Sequence, residues 1–287
     1  MFERILIPLD GSPRAEVILA QVSRILRRQD SEVLLLRVVN DSREEAEAYL
    51  REVEQRLSGR GARVRGRVAE GPVAAAILDV AHQERSTMIA MSTHGRGGLA
   101  RWVLGSVAEK VARASEIPLL LVRSFLETPA AAPELPFRKI LIPIDGSPTS
   151  LAAVEATAEF ARQFESEVLV LHVWPIAVSP LYVAPGIPVF STDPASIFPT
   201  PSPDKDPITA PAAERFRQSS IPVTRLSTSG DVASEILDQS VEKGVDLVAL
   251  GTHGRSGVTR WVLGSVAERV LRHARTPILL VRSRPGA

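Results

Sequence analysis

The chain has 287 residues, 45% of them hydrophobic and 23% charged, with 34 basic and 33 acidic side chains for a formal net charge of +1. Such a length accommodates about two domains, and so balanced a charge argues against nucleic acid as the main partner, because gripping a phosphate backbone needs a clustered basic excess. There are no cysteines, which excludes disulfides, thiolate metal sites and a cysteine nucleophile.

The N-terminus MFERILIPLDGS enters a strand almost at once and lacks the long apolar core of a signal peptide. No run reaches the roughly 18 apolar residues that span a bilayer, so a cytoplasmic location without membrane contact is expected. Arg4 to Leu9 (RILIPL) is a continuous apolar run, the pattern of a strand buried on both faces of a parallel sheet. Asp10-Gly11-Ser12-Pro13 follows, with Ser12 suited to a helix N-cap and Pro13 to the first helical position. Ala15, Ile18, Leu19, Val22, Ile25 and Leu26 then share one helical face.

Glu32 to Val38 is the second predicted strand, Ser42 to Leu57 a charged amphipathic helix, and Arg63 to Val68 a short strand whose alternating arginines suit a sheet edge. The basic residues Arg28, Arg60, Arg63, Arg65 and Arg67 are read as a solvated surface. Gly71 to Gln83 is the third predicted helix, Thr87 to Met91 the fourth strand, Ser106 to about Ala114 the fourth helix, and Ile117 to Val122 the fifth strand. Strands alternating with helices at this spacing predict a parallel α/β sheet with helices on both faces.

The plan then repeats. Residues 1–125 form a first domain, 126–136 a proline- and alanine-rich linker, and 137–284 a second domain. Its strands are predicted at Arg138 to Ile144, Glu167 to Val173, Val223 to Ser227, Asp246 to Leu250 and Pro277 to Val281. Asp145-Gly146-Ser147-Pro148 repeats the first turn unaltered, and Thr252 to Val270 repeats Thr93 to Val111 at 15 of 19 positions. The halves differ in one spacing: Asp10 to Gly95 is 85 residues and Asp145 to Gly254 is 109, so the second half carries 24 more. These fall within an insert at 174–211 that holds 10 of the 22 prolines. It is expected to be poorly ordered in part and to lie over the mouth of its own sheet.

In an open parallel sheet, ligands sit beyond the carboxyl ends of the strands where the winding reverses. Asp10, Val38 and the repeated loop all end at that rim. Asp10 can accept from a ribose hydroxyl or a base amino group, and Pro8 with Val38 offers an apolar wall. Gly95, Gly105 and Ser106 can bring amides to phosphate at the positive end of the helix that follows. The pieces suit an adenine nucleotide held mainly through backbone. Each also has a local reading. Asp10 can cap the turn before the helix, and Ser106-x-x-Glu109 and Ser265-x-x-Glu268 have capping-box spacing. His94 and His253 can order their loop, and Arg96, Arg101, Arg255 and Arg260 can balance phosphate or be solvated. Trp102 and Trp261 are read as core or interface anchors. His82, His172 and His273 show no ligand spacing, so no protein-made metal site is expected. There is no Gly-x4-Gly-Lys-Ser/Thr loop, no Gly-x-Gly-x-x-Gly after a first strand and no Gly-x-Ser-x-Gly elbow.

ILIPIDGS at the start of a half, Gly251-x2-Gly254-x9-Gly264-Ser265 late in it and PILLV at its end together resemble the universal stress protein family, as a tandem member. The resemblance implies two five-stranded parallel-sheet domains of the adenine-nucleotide alpha-hydrolase-like fold. It implies nucleotide contacts at Asp145, Val173, Gly251, His253, Gly254, Gly264, Ser265 and Val266, with Pro143 nearby. Carried to the first half, these become Pro8, Asp10, Val38, His94, Gly95, Gly105, Ser106 and Val107. Ser92 stands where the pattern has its first glycine, and its side chain is expected to crowd a ribose or phosphate or to change the backbone angle. The family's ATP-binding type implies ATP or AMP as ligand, with Mg2+ held through the phosphates, and pairing of domains through their last strands, here within one chain, with a homodimer also open. The expected role is a nucleotide-dependent stress-response regulator without strong catalysis. The alternatives are an interaction scaffold with vestigial sites, or a slow magnesium-dependent ATP hydrolase.

Overall fold

The computed structural model describes residues 3–26, 31–39, 42–58, 62–93, 104–124, 137–175, 202–252 and 263–282. The first half runs β1 (Arg4–Pro8), α1 (Pro13–Ile25), β2 (Glu32–Val39), α2 (Arg43–Leu57), β3 (Arg63–Glu70), α3 (Val73–Gln83), β4 (Met88–Ser92), α4 (Ser106–Ala114) and β5 (Leu119–Val122). The second runs β6 (Lys139–Pro143), α5 (Pro148–Phe164), β7 (Glu167–Pro175), α6 (Thr209–Gln218), β8 (Val223–Gly230), α7 (Val232–Glu242), β9 (Leu247–Gly251), α8 (Ser265–His273) and β10 (Ile278–Val281).

The helices start where the sequence offers caps. The Ser12 hydroxyl accepts from the Ala15 amide at 3.2 Å with Pro13 opening α1, and Ser147 accepts from the Ser150 amide at 3.2 Å with Pro148 opening α5. Gly71, at a φ of 103°, turns the chain ahead of α3, so that helix begins at Val73 rather than at the predicted Gly71.

All ten strands belong to one sheet in the order β3-β2-β1-β4-β5-β10-β9-β6-β7-β8. Pairing is parallel within each half, as in Ile5↔Val33, Ile5↔Met88 and Ile89↔Leu119. At the centre β5 and β10 pair antiparallel, with Leu120 opposite Leu279. Alternation along the strands sends Ile5 and Ile7 to one face and Leu6 to the other. One apolar layer lies under α1, α2, α5 and α6 and the other under α3, α4, α7 and α8, and each draws residues from both halves. The core is therefore continuous across the central seam, where every residue of β5 and β10 is buried. Among the described residues no helix is long and apolar enough to cross a membrane.

The insert differs from its expected form at both ends. Strand β7 continues through Trp174 to Pro175, because Val173, Trp174 and Pro175 pair with Thr228, Ser229 and Gly230. Residues 202–211 are built into the fold as a 3-10 turn (Pro203–Lys205) and the start of α6. Residues 176–201 lie outside the described part.

Candidate functional site

Each half has the strand order of a doubly wound sheet, with the reversal between β1 and β4 in the first and between β6 and β9 in the second. At that point the loops diverge to opposite faces and leave a crevice beyond the strand ends. In the second half the crevice is a cavity of about 290 Å³, at the lower end of the range for small-molecule sites. Three strand ends and three helix starts enclose it. Pro143, Ile144 and Asp145 come from the end of β6, His172, Val173 and Pro175 from β7, and Leu250, Gly251 and Thr252 from β9. Ser150 enters from α5, Val232 and Ile236 from α7, and Gly264, Ser265, Val266 and Ala267 from the start of α8.

Seven of the nine residues selected for this half thus line one space: Pro143, Asp145, Val173, Gly251, Gly264, Ser265 and Val266. His253 and Gly254 lie outside the described residues. Pro8, Asp10, Val38, Gly105, Ser106 and Val107 hold the corresponding strand ends and helix start in the first half, while His94 and Gly95 fall outside the described residues. Arg96, Arg101, Trp102, Arg255, Arg260 and Trp261 do so as well.

The repeated loop is pinned at its base in the same way in both halves. The Gly105 amide donates to the Thr93 carbonyl at 2.8 Å, and the Gly264 amide donates to the Thr252 carbonyl at 2.8 Å. Thr93 and Thr252 donate in turn to the carbonyls of Val122 and Val281. The helix start is thereby fixed to the strand end, whatever course the intervening residues take.

The capping-box expectation is not met. Gly105 and Gly264 are the N-caps of α4 and α8, with no side-chain cap hydrogen bond, and Ser106 and Ser265 are already the first helical residues. Glu109 pairs with Arg113 and Glu268 with Arg272 on the outer surface. The first-turn amides of α8 therefore open toward the cavity, which is the arrangement that receives an anion.

Asp10 and Asp145 do cap their turns. Asp145 Oδ1 accepts the Ser147 amide at 2.9 Å, and Asp10 Oδ1 accepts the Ser12 amide at 2.9 Å and its hydroxyl at 2.6 Å. This does not remove Asp145 from the cavity wall. The hydrogen bond sets the carboxylate's direction at the rim, so the local reading and the ligand reading describe one geometry.

The backbone-angle part of the expectation for Ser92 is corrected by Gly251. The φ of Gly251 is not positive. A Cβ there would meet the Thr149 carbonyl oxygen at 2.9 Å and Thr149 Cγ2 at 3.1 Å. The glycine thus admits the first turn of α5 close against β9 and is not required by the backbone angle. In the first half Ser92 is buried at the end of β4, opposite Val122.

Sequence reasoning did not select His172, Ser150, Val232, Ile236 and Leu250. Leu250 belonged to a strand already predicted, and Val232 and Ile236 stand one helical turn apart beyond the Gly230-Asp231 turn. These are cues to an apolar helix face without saying what it faces. Nothing near His172 in the chain signals its partner, Asp206, which approaches Nδ1 at 2.9 Å from 34 residues away. Burial alone would raise the Asp206 carboxyl. Hydrogen bonds from His172, the Ile208 amide and Ser227, with the charge of His172, outweigh burial and hold it below the usual carboxylate range. Among the described residues no group of three or more His, Cys, Asp or Glu could hold a metal ion. The described cavity lining contains one carboxylate, one imidazole and no Lys or Arg.

Two parallel-sheet units joined edge to edge, each with a strand-to-helix loop pinned at the rim, define a tandem doubly wound α/β protein. A model of the universal stress protein family matches residues 1–123 and 136–282, and the chain belongs to that family. It is 29% identical over 201 residues to a universal stress protein of Mycobacterium tuberculosis, covering 68% of this chain and 61% of that one. With one of Bacillus subtilis it shares 32% over 149 residues, covering 51% of this chain and 99% of the relative. The match thus spans 61% of the length of three such relatives from M. bovis and M. tuberculosis. Among solved structures, a universal stress protein from Archaeoglobus fulgidus superposes with a TM-score of 0.68 at 21% identity, over 97% of this chain and 96% of that one. A second, from Pseudomonas aeruginosa, gives 0.60 at 16% identity over 98% and 93%. At such identities the likeness concerns the fold.

Proposed function

We propose that this universal stress protein binds ATP, with AMP as a second ligand, and acts in the cytoplasm as a nucleotide-dependent stress-response regulator without strong catalysis. One observation carries the reading: seven residues scattered from Pro143 to Val266 converge on one cavity at the switch point, with the open N-terminus of α8 in its wall. The chemistry of the wall supports this choice of ligand. Val173, Val232, Ile236 and Leu250 offer apolar surface for a base, and Asp145 offers an acceptor for ribose hydroxyls. The amides of Ser265, Val266 and Ala267 offer donors for phosphate. A magnesium ion held by the phosphates would offset their charge. The pinned base of the loop keeps the amides in place before the ligand arrives, so little ordering is needed on binding.

Regulation is favoured over hydrolysis because Asp145, the one carboxylate of the described lining, already accepts the Ser147 amide at the β6 end. Isothermal titration with ATP and magnesium tests the reading. Heat of binding is expected for the parent chain and is lost from the second site in Gly264→Val, whose side chain would intrude at the helix start. Absence of heat with ATP, ADP and AMP alike would refute it. A phosphate-release assay is expected to show at most slow turnover. Rapid release abolished by Asp145→Ala would instead make the protein an ATP hydrolase.

A further inference from the structure

The extra residues of the second half return to the sheet through Ser202 to Ile208, and that segment is fastened from inside by one side chain. Asp206 is completely buried and His172 is 4% exposed. Asp206 Oδ2 accepts from His172 Nδ1 and from the Ser227 hydroxyl, both at 2.9 Å, and Oδ1 accepts the Ile208 amide at 2.9 Å. An ionised Asp206 makes Nδ1 the protonated nitrogen of the ring. Trp174 Nε1 donates to Ser227 Oγ at 3.1 Å, extending the network along β7 and β8. Arg225 grips the same segment from outside, donating to the carbonyls of Asp204 and Asp206 and to Thr209 Oγ1.

One end of this fastening lines the proposed nucleotide cavity, and the other packs beside the turn that carries Asp145. His172 lines the cavity and precedes Val173. Ile208 lies over Gly146, where an added Cβ would come within 3.3 Å of Ile208 Cδ1, and Gly146 follows Asp145 in the turn that aims its carboxylate. The segment therefore braces the ends of β6 and β7 against each other. Among the described residues the first half shows no such brace. There β2 and α2 are separated by residues 40–42 alone, and the position matching His172 in the strand register is Arg37, which faces the Tyr49 ring at 5.8 Å.

We propose that Asp206, His172 and Ile208 are positioning residues of the second nucleotide site: they strap Ser202–Ile208 across the ends of β6 and β7 and make the two sites of the chain unequal in affinity. This rests on the reading of the cavity as an adenine-nucleotide site. Fixing the walls beforehand raises affinity by removing an ordering cost that the first site still bears.

The test is calorimetric titration with ATP and magnesium in two backgrounds. Gly105→Val leaves the second site to be read alone, and Gly264→Val leaves the first. Asp206→Asn and Ile208→Ala are each expected to weaken the second site about tenfold, the scale of one charge-assisted hydrogen bond for the first and of one lost apolar contact for the second. The first site is expected to stay within about twofold, whereas general destabilisation would weaken both. His172→Asn, whose amide N–H can replace Nδ1–H, is expected to retain second-site affinity. Hydrogen exchange at the amides of Asp204, Lys205, Asp206 and Ile208 is expected to slow when ATP is added to the parent chain. Second-site affinity unchanged in Asp206→Asn and Ile208→Ala would overturn the proposal and leave nucleotide binding standing. So would an equal loss at both sites. No heat from the parent chain would overturn both. Should Asp206→Asn fail to fold, Ile208→Ala decides alone, since its change lies outside the buried network.

Discussion

Asp206 and Asp145 are both carboxylates near one cavity, yet their surroundings give them different tasks. Asp145 is half-exposed at the rim, with one oxygen directed by the Ser147 amide. Asp206 is buried, and its oxygens take three donors. Held below its ordinary value in the folded chain, Asp206 contributes stability that is fully present above the unfolded carboxylate pKa of about 3.9 and is lost as pH falls through the lower folded value. Below about pH 4 the parent's melting temperature is therefore expected to fall more steeply than that of Asp206→Asn, which has no proton to take up. Parallel curves for the two proteins in thermal melts would remove Asp206 from the acid transition.

Helices and strands assemble the site by how closely they approach. The start of α5 comes so near β9 that Gly251 has no room for a Cβ beside Thr149. Gly251→Ala is therefore expected to cost about 1–3 kcal/mol, the usual range for overpacking a fitted contact. Urea denaturation would show it as a lowered midpoint with an unchanged slope. A loss under about 0.5 kcal/mol would mean that α5 can retreat, as an exposed site would allow. At α4 and α8 the same scale explains why Ser106 and Ser265 are not caps. The chain leaves Thr93 and Thr252 through a hydrogen bond to the glycine amide, which places that glycine at the helix boundary and the serine one residue inside.

Across the whole molecule the two halves are tied by the antiparallel β5–β10 pair and by contacts beside it. Arg24 of α1 is 5% exposed, donates to Asp246 Oδ1 at 3.1 Å and lies 4.1 Å from the Phe137 ring centroid. Asp246 Oδ2 meanwhile accepts the amides of Arg138 and Lys139, where the second domain begins. On the other face Arg282 donates to the carbonyls of Arg113 and Ser115 near the end of α4. Arg24→Ala is expected to destabilise the chain by about 2 kcal/mol, less than for a wholly buried pair because Asp246 is 31% exposed. A double-mutant cycle with Asp246→Ala in urea measures the coupling, and a value near zero would show that packing on Phe137 carries the effect.

Much of this was legible in the chain itself. Apolar runs such as RILIPL and KILIP mark strands buried on both faces, Ser-Pro pairs mark helix starts, and the repeated Thr-to-Val segment marks where each rim loop must lie. Burial and local hydrogen bonding act on neighbours along the chain, so they leave a periodic trace. What only the tertiary structure decided involves partners far apart in sequence. These are Asp206 beneath His172, Thr149 against Gly251, Arg24 against Asp246, and the register of Leu120 on Leu279. A pattern of apolar and polar residues states which side of an element is covered, and it carries no record of which distant residue does the covering.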